Sequence, residues 1–150
     1  MSNSLFTLRG RDFLSISDLD RSELLGLLDL ADRIKAGSWR EQLLEGRQVA
    51  MIFQKPSMRT RVSFEVGIRR LGGASVALGE QDVQIGYRES VGDAARVLDR
   101  YADLIVARLR RHQDLLELAA AARIPVVNAR TEPEPPCHVL ADLITIRAST

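Results

Sequence analysis

Hydroxyl and guanidinium side chains follow a short apolar run in the first half of the chain. The run at residues 48–53 ends just before Ser57, Arg59 and Thr60, where a helical pattern begins. A helix that starts here points its unpaired backbone N–H groups and the positive end of its dipole towards the end of the run. Phosphate binds readily at such helix starts, and a guanidinium adds a planar, charged fork. The spacing predicts an anion site, although an ordinary strand, turn and helix with Ser57 as N-cap explains the same residues.

Helical and strand-like patterns alternate along the rest of the chain. We expect helices near residues 20–35, 57–71, 91–101, 113–122 and 138–147, and strands near residues 48–53, 74–78, 104–107 and 125–128. Asp20 and Glu23 have the spacing of a capping box at the first helix. Short apolar strands separated by helices are typical of parallel sheets with right-handed crossovers. The prediction is an α/β fold: an open parallel sheet of about four strands with helices on both faces.

The composition excludes several classes of function. The 150 residues are 45% hydrophobic and 27% charged with a net charge of +1, as in one ordinary globular domain. Of the 21 basic residues 19 are arginines, but acidic residues are interspersed and only 5% are aromatic, so we expect no nucleic-acid role. No apolar run approaches the ~18 residues of a membrane span, and residues 1–14 lack the apolar core of a secretory signal. The single Cys137 cannot form an internal disulfide, which favours a reducing cytoplasm.

Several motifs resemble one enzyme family. Residues 57–65 read Ser-Met-Arg-Thr-Arg-Val-Ser-Phe-Glu, which is similar to the Ser-Thr-Arg-Thr-Arg phosphate loop and Ser-Phe-Glu helix of the carbamoyltransferases. Further matches follow in the order of that family at residues 84–90, 93–98, 101–108 and 136–143. The resemblance covers most of residues 15–147, and the segments Gln84-Ile85-Gly86 and Phe64-Glu65-Val66-Gly67 favour the ornithine branch over the aspartate branch.

The resemblance implies a function for one domain. Residues 1–150 are expected to form the carbamoyl-phosphate-binding domain (carbamoyltransferase N-terminal domain type), with the second, amino-acid-binding domain absent from this chain. The family reaction converts carbamoyl phosphate and L-ornithine to citrulline and phosphate in arginine metabolism, without a metal or organic cofactor. We expect the chain alone to be a weakly active or inactive transferase.

The resemblance also assigns roles to individual residues. The residues that it implies for carbamoyl phosphate binding are Ser57, Met58, Arg59, Thr60, Gln84 and Arg108, and the catalytic candidates are Arg59, Arg108 and His138. Gln84 is implied to reach the site of a neighbouring subunit in a homotrimer. The carboxyl ends of parallel strands meet at one edge of a sheet, so the side chains after the first, third and fourth strands should lie together. The alternative for Arg108 is a surface arginine at a strand end.

The chain departs from the family pattern at two places. The family has His-Pro-Cys-Gln before Leu-Ala-Asp-Leu, whereas this chain has Pro135-Pro136-Cys137-His138. Proline has neither a side-chain donor nor a backbone N–H, and loss of one transition-state donor typically costs about 10²–10³ in rate. His138 is a candidate replacement, its alternative role being a helix-start residue, and Met58 removes a hydroxyl from the phosphate loop. These departures support a second hypothesis, a non-catalytic relative that binds an anion or assembles with partners.

Overall fold

Five helices and four strands form the described part of the molecule. The computed structural model describes residues 7–38, 40–85, 87–132 and 134–149. Gly86 of the Gln84-Ile85-Gly86 motif therefore lies outside the described residues, as does the first part of residues 1–14, the segment in which a secretory signal was sought. The elements are, in chain order, α1 Arg21–Lys35, β1 Gln48–Phe53, α2 Met58–Arg70, β2 Ala74–Gly79, α3 Val91–Leu98, β3 Leu104–Arg111, α4 His112–Ala121, β4 Val126–Glu132 and α5 Pro136–Ala148.

The sheet has the predicted open parallel arrangement. Its strand order is β2-β1-β3-β4, and all neighbouring strands are parallel. Alternate side chains of the central strand β1 enter two cores: Ala50 and Ile52 pack towards α3 and α4, while Val49 and Met51 pack towards α2. The predicted α/β class with helices on both faces of a four-stranded sheet is therefore confirmed. Because β1 and β3 are neighbours at the centre, their carboxyl ends lie side by side.

The last two strands are longer than the sequence pattern predicted. The expected ends were residues 107 and 128, whereas β3 continues to Arg111 and β4 to Glu132. Gln54 explains the extension of β3, because its backbone N–H donates to the Arg108 carbonyl at 3.0 Å and its side-chain oxygen accepts from the Arg110 N–H at 2.9 Å. The polar ends of β3 and β4 thus belong to the sheet, and an irregularity in their pairing at Arg108 sets that residue opposite Arg130.

The segment before α1 is attached to the edge of the sheet. Phe13 forms a parallel bridge with Val127, and the Asp12 carboxylate accepts the Val126 N–H at 2.8 Å. The predicted capping box is present, since the Glu23 N–H donates to Asp20 and the Asp20 N–H donates to Glu23. Sequence patterns did not predict the attachment to β4, which depends on contacts between residues more than 100 positions apart.

Candidate functional site

A polar cleft of about 540 Å³ lies at the carboxyl edge of the sheet. Its walls come from the start of α2, the ends of β3 and β4, and the start of α5. The polar and charged residues that line it are Ser57, Arg59, Thr60, Ser63, Arg108, Arg130 and His138. Five of these are residues that the sequence singled out, and the fold brings them together at one edge. Ser63 and Arg130 were not predicted.

The start of α2 offers free donors to the cleft. Ser57 occupies the N-cap position, but its side chain makes no capping hydrogen bond. The first turn of α2 contains no acidic residue, so no carboxylate of this turn offsets the positive end of the helix dipole. Arg59 also lines the cleft, as does Ser63, whose hydroxyl already donates to the Thr60 carbonyl at 2.9 Å. This arrangement of hydroxyl, guanidinium and backbone N–H groups is suited to a phosphate group.

Arg108 is held against Thr60 at the base of the cleft. Its Nη1 donates to the buried Thr60 hydroxyl at 3.0 Å. Its Nε is buried, yet it has no hydrogen-bond acceptor within the described part of the chain. Burial lowers the pKa of the Arg108 guanidinium, and the positive charge of Arg130 lowers it further. The guanidinium still carries its charge at neutral pH. The Nε–H of this half-buried cation is open to an acceptor in the cleft, and an anionic oxygen suits it.

The start of α5 carries both the departure from the family pattern and its candidate replacement. The helix begins at Pro136, which is a favoured residue type for the first turn, and His138 donates its backbone N–H to the Pro135 carbonyl at 3.0 Å. The predicted start at residue 138 was therefore two residues late. The His138 side chain is exposed and lines the cleft. His138 thus lies in the first turn of α5, as the helix-start alternative predicted, and its role as a replacement for the family histidine stays a prediction.

Cys137 also lines the cleft, but it is not an activated thiol. Its Sγ donates to the Asn128 carbonyl at 3.3 Å. Burial raises the pKa of the thiol to about 11, so the thiol is protonated at neutral pH. Only the thiolate is a good nucleophile, which leaves Cys137 with a packing role.

Asn128 fixes the loop between β4 and α5. This fully buried side chain donates through Nδ2 to the Leu14 carbonyl at 2.8 Å, the Glu134 carbonyl at 3.0 Å and the Thr131 hydroxyl at 3.2 Å. The Thr131 hydroxyl is in turn hydrogen-bonded to His112 Nδ1 at 2.7 Å. The sequence analysis missed this role, although an asparagine at the end of a buried apolar strand was a usable signal, since buried polar groups need partners.

Two predicted residues lie outside the cleft in a single chain. Gln84 lines a separate cleft of about 370 Å³ together with Gln54 and Arg110. The Met58 side chain is 76% exposed and faces an apolar groove of about 750 Å³ on α2. That groove is larger than the polar cleft, but its walls are mostly aliphatic. The hydroxyl and guanidinium donors converge in the smaller cleft, which makes it the candidate anion site.

The described ranges show neither a metal centre nor a membrane span. Nowhere in them do three His, Cys, Asp or Glu side chains come close enough to hold a metal ion. Their helices are all too short or too polar to cross a bilayer.

Comparison with known proteins agrees with the geometry of the cleft. Residues 11–148 match the family described as aspartate/ornithine carbamoyltransferase, carbamoyl-P binding domain. The ornithine carbamoyltransferase of Symbiobacterium thermophilum is 50% identical over 143 residues, which cover 93% of this chain and 46% of that protein. The chloroplastic enzyme of Pisum sativum is 46% identical over 140 residues, covering 91% of this chain and 37% of that protein.

Solved structures give the same result. Ornithine carbamoyltransferase from Pyrococcus furiosus superposes with a TM-score of 0.90 at 44% identity, over 95% of this chain and 46% of that one. The anabolic enzyme from Campylobacter jejuni has a TM-score of 0.87 at 38% identity, over 92% of this chain and 45% of that one. The chain spans about half the length of the relatives it matches. It belongs to the aspartate/ornithine carbamoyltransferase family and contains the carbamoyl-phosphate-binding domain of that family.

Proposed function

We propose that this chain binds carbamoyl phosphate in the polar cleft and supplies the carbamoyl-phosphate half of an ornithine carbamoyltransferase of arginine biosynthesis. The observation that carries the proposal is the half-buried Arg108 guanidinium, which is fixed to Thr60 and has a buried Nε–H without an acceptor among the described residues. No carboxylate lines the described cleft to neutralise this charge. An anionic ligand therefore satisfies groups that the fold leaves unpaired.

Different cleft residues are assigned to the phosphate and to the carbamoyl group of the ligand. Ser57, Thr60 and the first N–H groups of α2 hold the phosphate oxygens, and Arg59 neutralises their charge. Arg108 is proposed to contact both the phosphate and the carbamoyl oxygen, which becomes more negative in the transition state. In the reaction, the neutral δ-amine of ornithine attacks the carbamoyl carbon, the C–O bond to phosphate breaks, and the amine proton passes to the departing phosphate. Citrulline and inorganic phosphate result.

Turnover by the chain alone is proposed to be weak or absent. Pro135 stands where the family histidine donates to the carbamoyl oxygen, and this loss is expected to cost about 10²–10³ in rate. His138 lies at the same edge of the cleft and is the candidate for a partial replacement. A citrulline assay with ornithine tests this expectation. The proposal includes a cytoplasmic location, which the single cysteine favours.

Pro135 and Met58 also support a second candidate function. A relative that has lost the family histidine and one loop hydroxyl can retain the arginines and bind an anion without catalysis. In that case the cleft would bind phosphate as tightly as carbamoyl phosphate. Relative affinity for the two anions therefore separates the candidates.

The proposed assembly is a homotrimer in which the loop around Gln84 reaches a neighbouring subunit. Support comes from the position of Gln84, which lies on a separate surface cleft and not at the anion cleft of its own chain. We expect static light scattering to give a mass three times the 16.7 kDa of the chain. A single-chain mass at every concentration would contradict the shared site.

Replacing Arg59 by alanine tests the anion site. We expect isothermal titration calorimetry at fixed ionic strength to show carbamoyl phosphate binding more tightly than inorganic phosphate. The Arg59→Ala variant should weaken both by at least about tenfold, because a charge-assisted hydrogen bond contributes about 1.5–3 kcal/mol. Arg69→Ala is the matched control, since it removes the same charge from an exposed position near the other end of α2.

Two results would count against the proposal. Equal affinity for phosphate and carbamoyl phosphate would favour the non-catalytic relative. Binding that Arg59→Ala and Arg69→Ala leave equally unchanged would remove the cleft as the anion site.

A further inference from the structure

Arg130 is a cleft residue to which the motif match assigns no role. It lies near the end of β4, where its Cα is the register partner of Arg108 on β3. Neighbouring strands are only about 4.8 Å apart, and both side chains line the cleft. The sheet therefore brings Arg108 and Arg130 to the same cleft, which Arg59 at the start of α2 also lines.

The charge of Arg130 is not neutralised by the described protein. The nearest acid along the same face of β4 is Glu132, which is already paired with Lys55 at 2.7 Å between Nζ and Oε1. Arg130 lowers the pKa of Glu132 only as a secondary influence after Lys55, and it forms no ion pair within 4 Å in the described ranges. Its effect on Arg108 is repulsive: burial is the main cause of the lowered pKa of Arg108, and the positive charge of Arg130 lowers that pKa further.

One phosphate group does not occupy all of this surface. Ser57, Arg59 and Thr60 at the start of α2 form one anion cradle, with Arg108 beside it. Arg130 belongs to the wall formed by β4 and faces the start of α5 with His138. The volume of about 540 Å³ lies within the range of roughly 300–1,000 Å³ for small-molecule sites, which leaves room for a second ligand group.

We propose that the cleft binds an anion with two charged groups, a phosphate at the start of α2 and a second phosphate or carboxylate held by Arg130. Arg130 is then a specificity-determining residue. This inference rests on the proposed function, because the phosphate occupies the same cradle in both. It goes further by naming a second anionic group that carbamoyl phosphate lacks.

Three small anions test the inference by calorimetry at constant pH and ionic strength. Inorganic phosphate has one anionic group, inorganic diphosphate has two phosphates, and phosphoglycolate has a phosphate and a carboxylate. We expect at least one of the two-group anions to bind about tenfold more tightly than phosphate. The tighter one identifies the second group as phosphate or carboxylate.

Arg130→Leu should abolish most of this preference while changing phosphate affinity by less than about threefold, because the second group alone loses a charge-assisted contact. Arg123→Leu is the matched control, since Arg123 is exposed, lies outside the cleft and carries the same charge. The Arg123→Leu variant should prefer the two-group anions over phosphate as strongly as the unmodified chain does. Thermal melts of both variants establish that they are folded.

The failures can be told apart. Two-group anions that bind no more tightly than phosphate, in a chain whose phosphate binding depends on Arg59, overturn this inference and leave the proposed function standing. A variant Arg130→Leu that weakens all three anions equally also overturns it, because Arg130 would then act only through the general positive field. If the chain binds none of the three anions and no carbamoyl phosphate, both this inference and the proposed function are overturned.

Discussion

Arg108→Ala is expected to weaken carbamoyl phosphate binding about a hundredfold or more. The side chain is partly buried, its Nε has no acceptor in the described protein, and its Nη1 is already fixed by Thr60. A bound anion therefore gains at least two charge-assisted hydrogen bonds from a preorganised donor. At about 1.5–3 kcal/mol for each such bond, and 1.4 kcal/mol per factor of ten, two bonds correspond to a hundredfold or more.

Stability should respond differently from binding. Removing Arg108 also removes a buried, unsatisfied N–H and the repulsion with Arg130. We therefore expect the free energy of unfolding in urea to fall by no more than about 1 kcal/mol. Arg108→Lys is the conservative control, which should recover part of the affinity through its charge but not the planar fork. Affinity within threefold of the unmodified chain in Arg108→Ala would show that this guanidinium does not contact the ligand.

Asn128→Ala is expected to have the largest effect on stability, lowering the free energy of unfolding by about 2–3 kcal/mol. The change removes three hydrogen bonds and leaves the Leu14 carbonyl without its Nδ2 donor. A buried polar group left unsatisfied costs about 1–3 kcal/mol. Because Asn128 ties down the loop that leads into α5, anion affinity should fall as well, through displacement of His138.

Urea titration with Gln113→Ala as control checks the Asn128 prediction. Gln113 carries the same amide on the surface of α4, so its replacement should change stability by less than about 0.5 kcal/mol. Asn128→Ala with the stability of the control would mean that the loop holds its position without these hydrogen bonds. Loss of stability without loss of anion affinity would show that the loop between β4 and α5 does not position the anion site.

Much of the fold follows from local patterns. The apolar run at residues 48–53 gave the bounds of β1, and Asp20 with Glu23 gave the start of α1. The ends of β3 and β4 did not follow, because their polar residues are kept in the sheet by distant partners. The Gln54 side chain, for example, accepts from the Arg110 N–H across 56 positions. A short stretch of sequence gives no information about a contact between such distant residues.

Part of the candidate site was predictable from the rule that ligands bind where the carboxyl ends of parallel strands meet. That rule placed Arg59, Arg108 and His138 at one edge, and the fold brings them to one cleft. Arg130 was missed because the predicted strand stopped at residue 128, which left it in a loop without a register partner. Gln84 was assigned to a shared site, and a single chain leaves that prediction open.

The most direct test of the account is to map amide shifts by ¹H–¹⁵N NMR while carbamoyl phosphate is added. The account predicts the largest shifts at residues 57–63, 108, 130 and 137–141, which surround the polar cleft. A second basic cleft of about 300 Å³, lined by Arg96, Arg100 and Arg123, lies elsewhere on the molecule. Shifts concentrated there, or on the apolar groove of α2, would contradict the assignment of the cleft as the carbamoyl phosphate site.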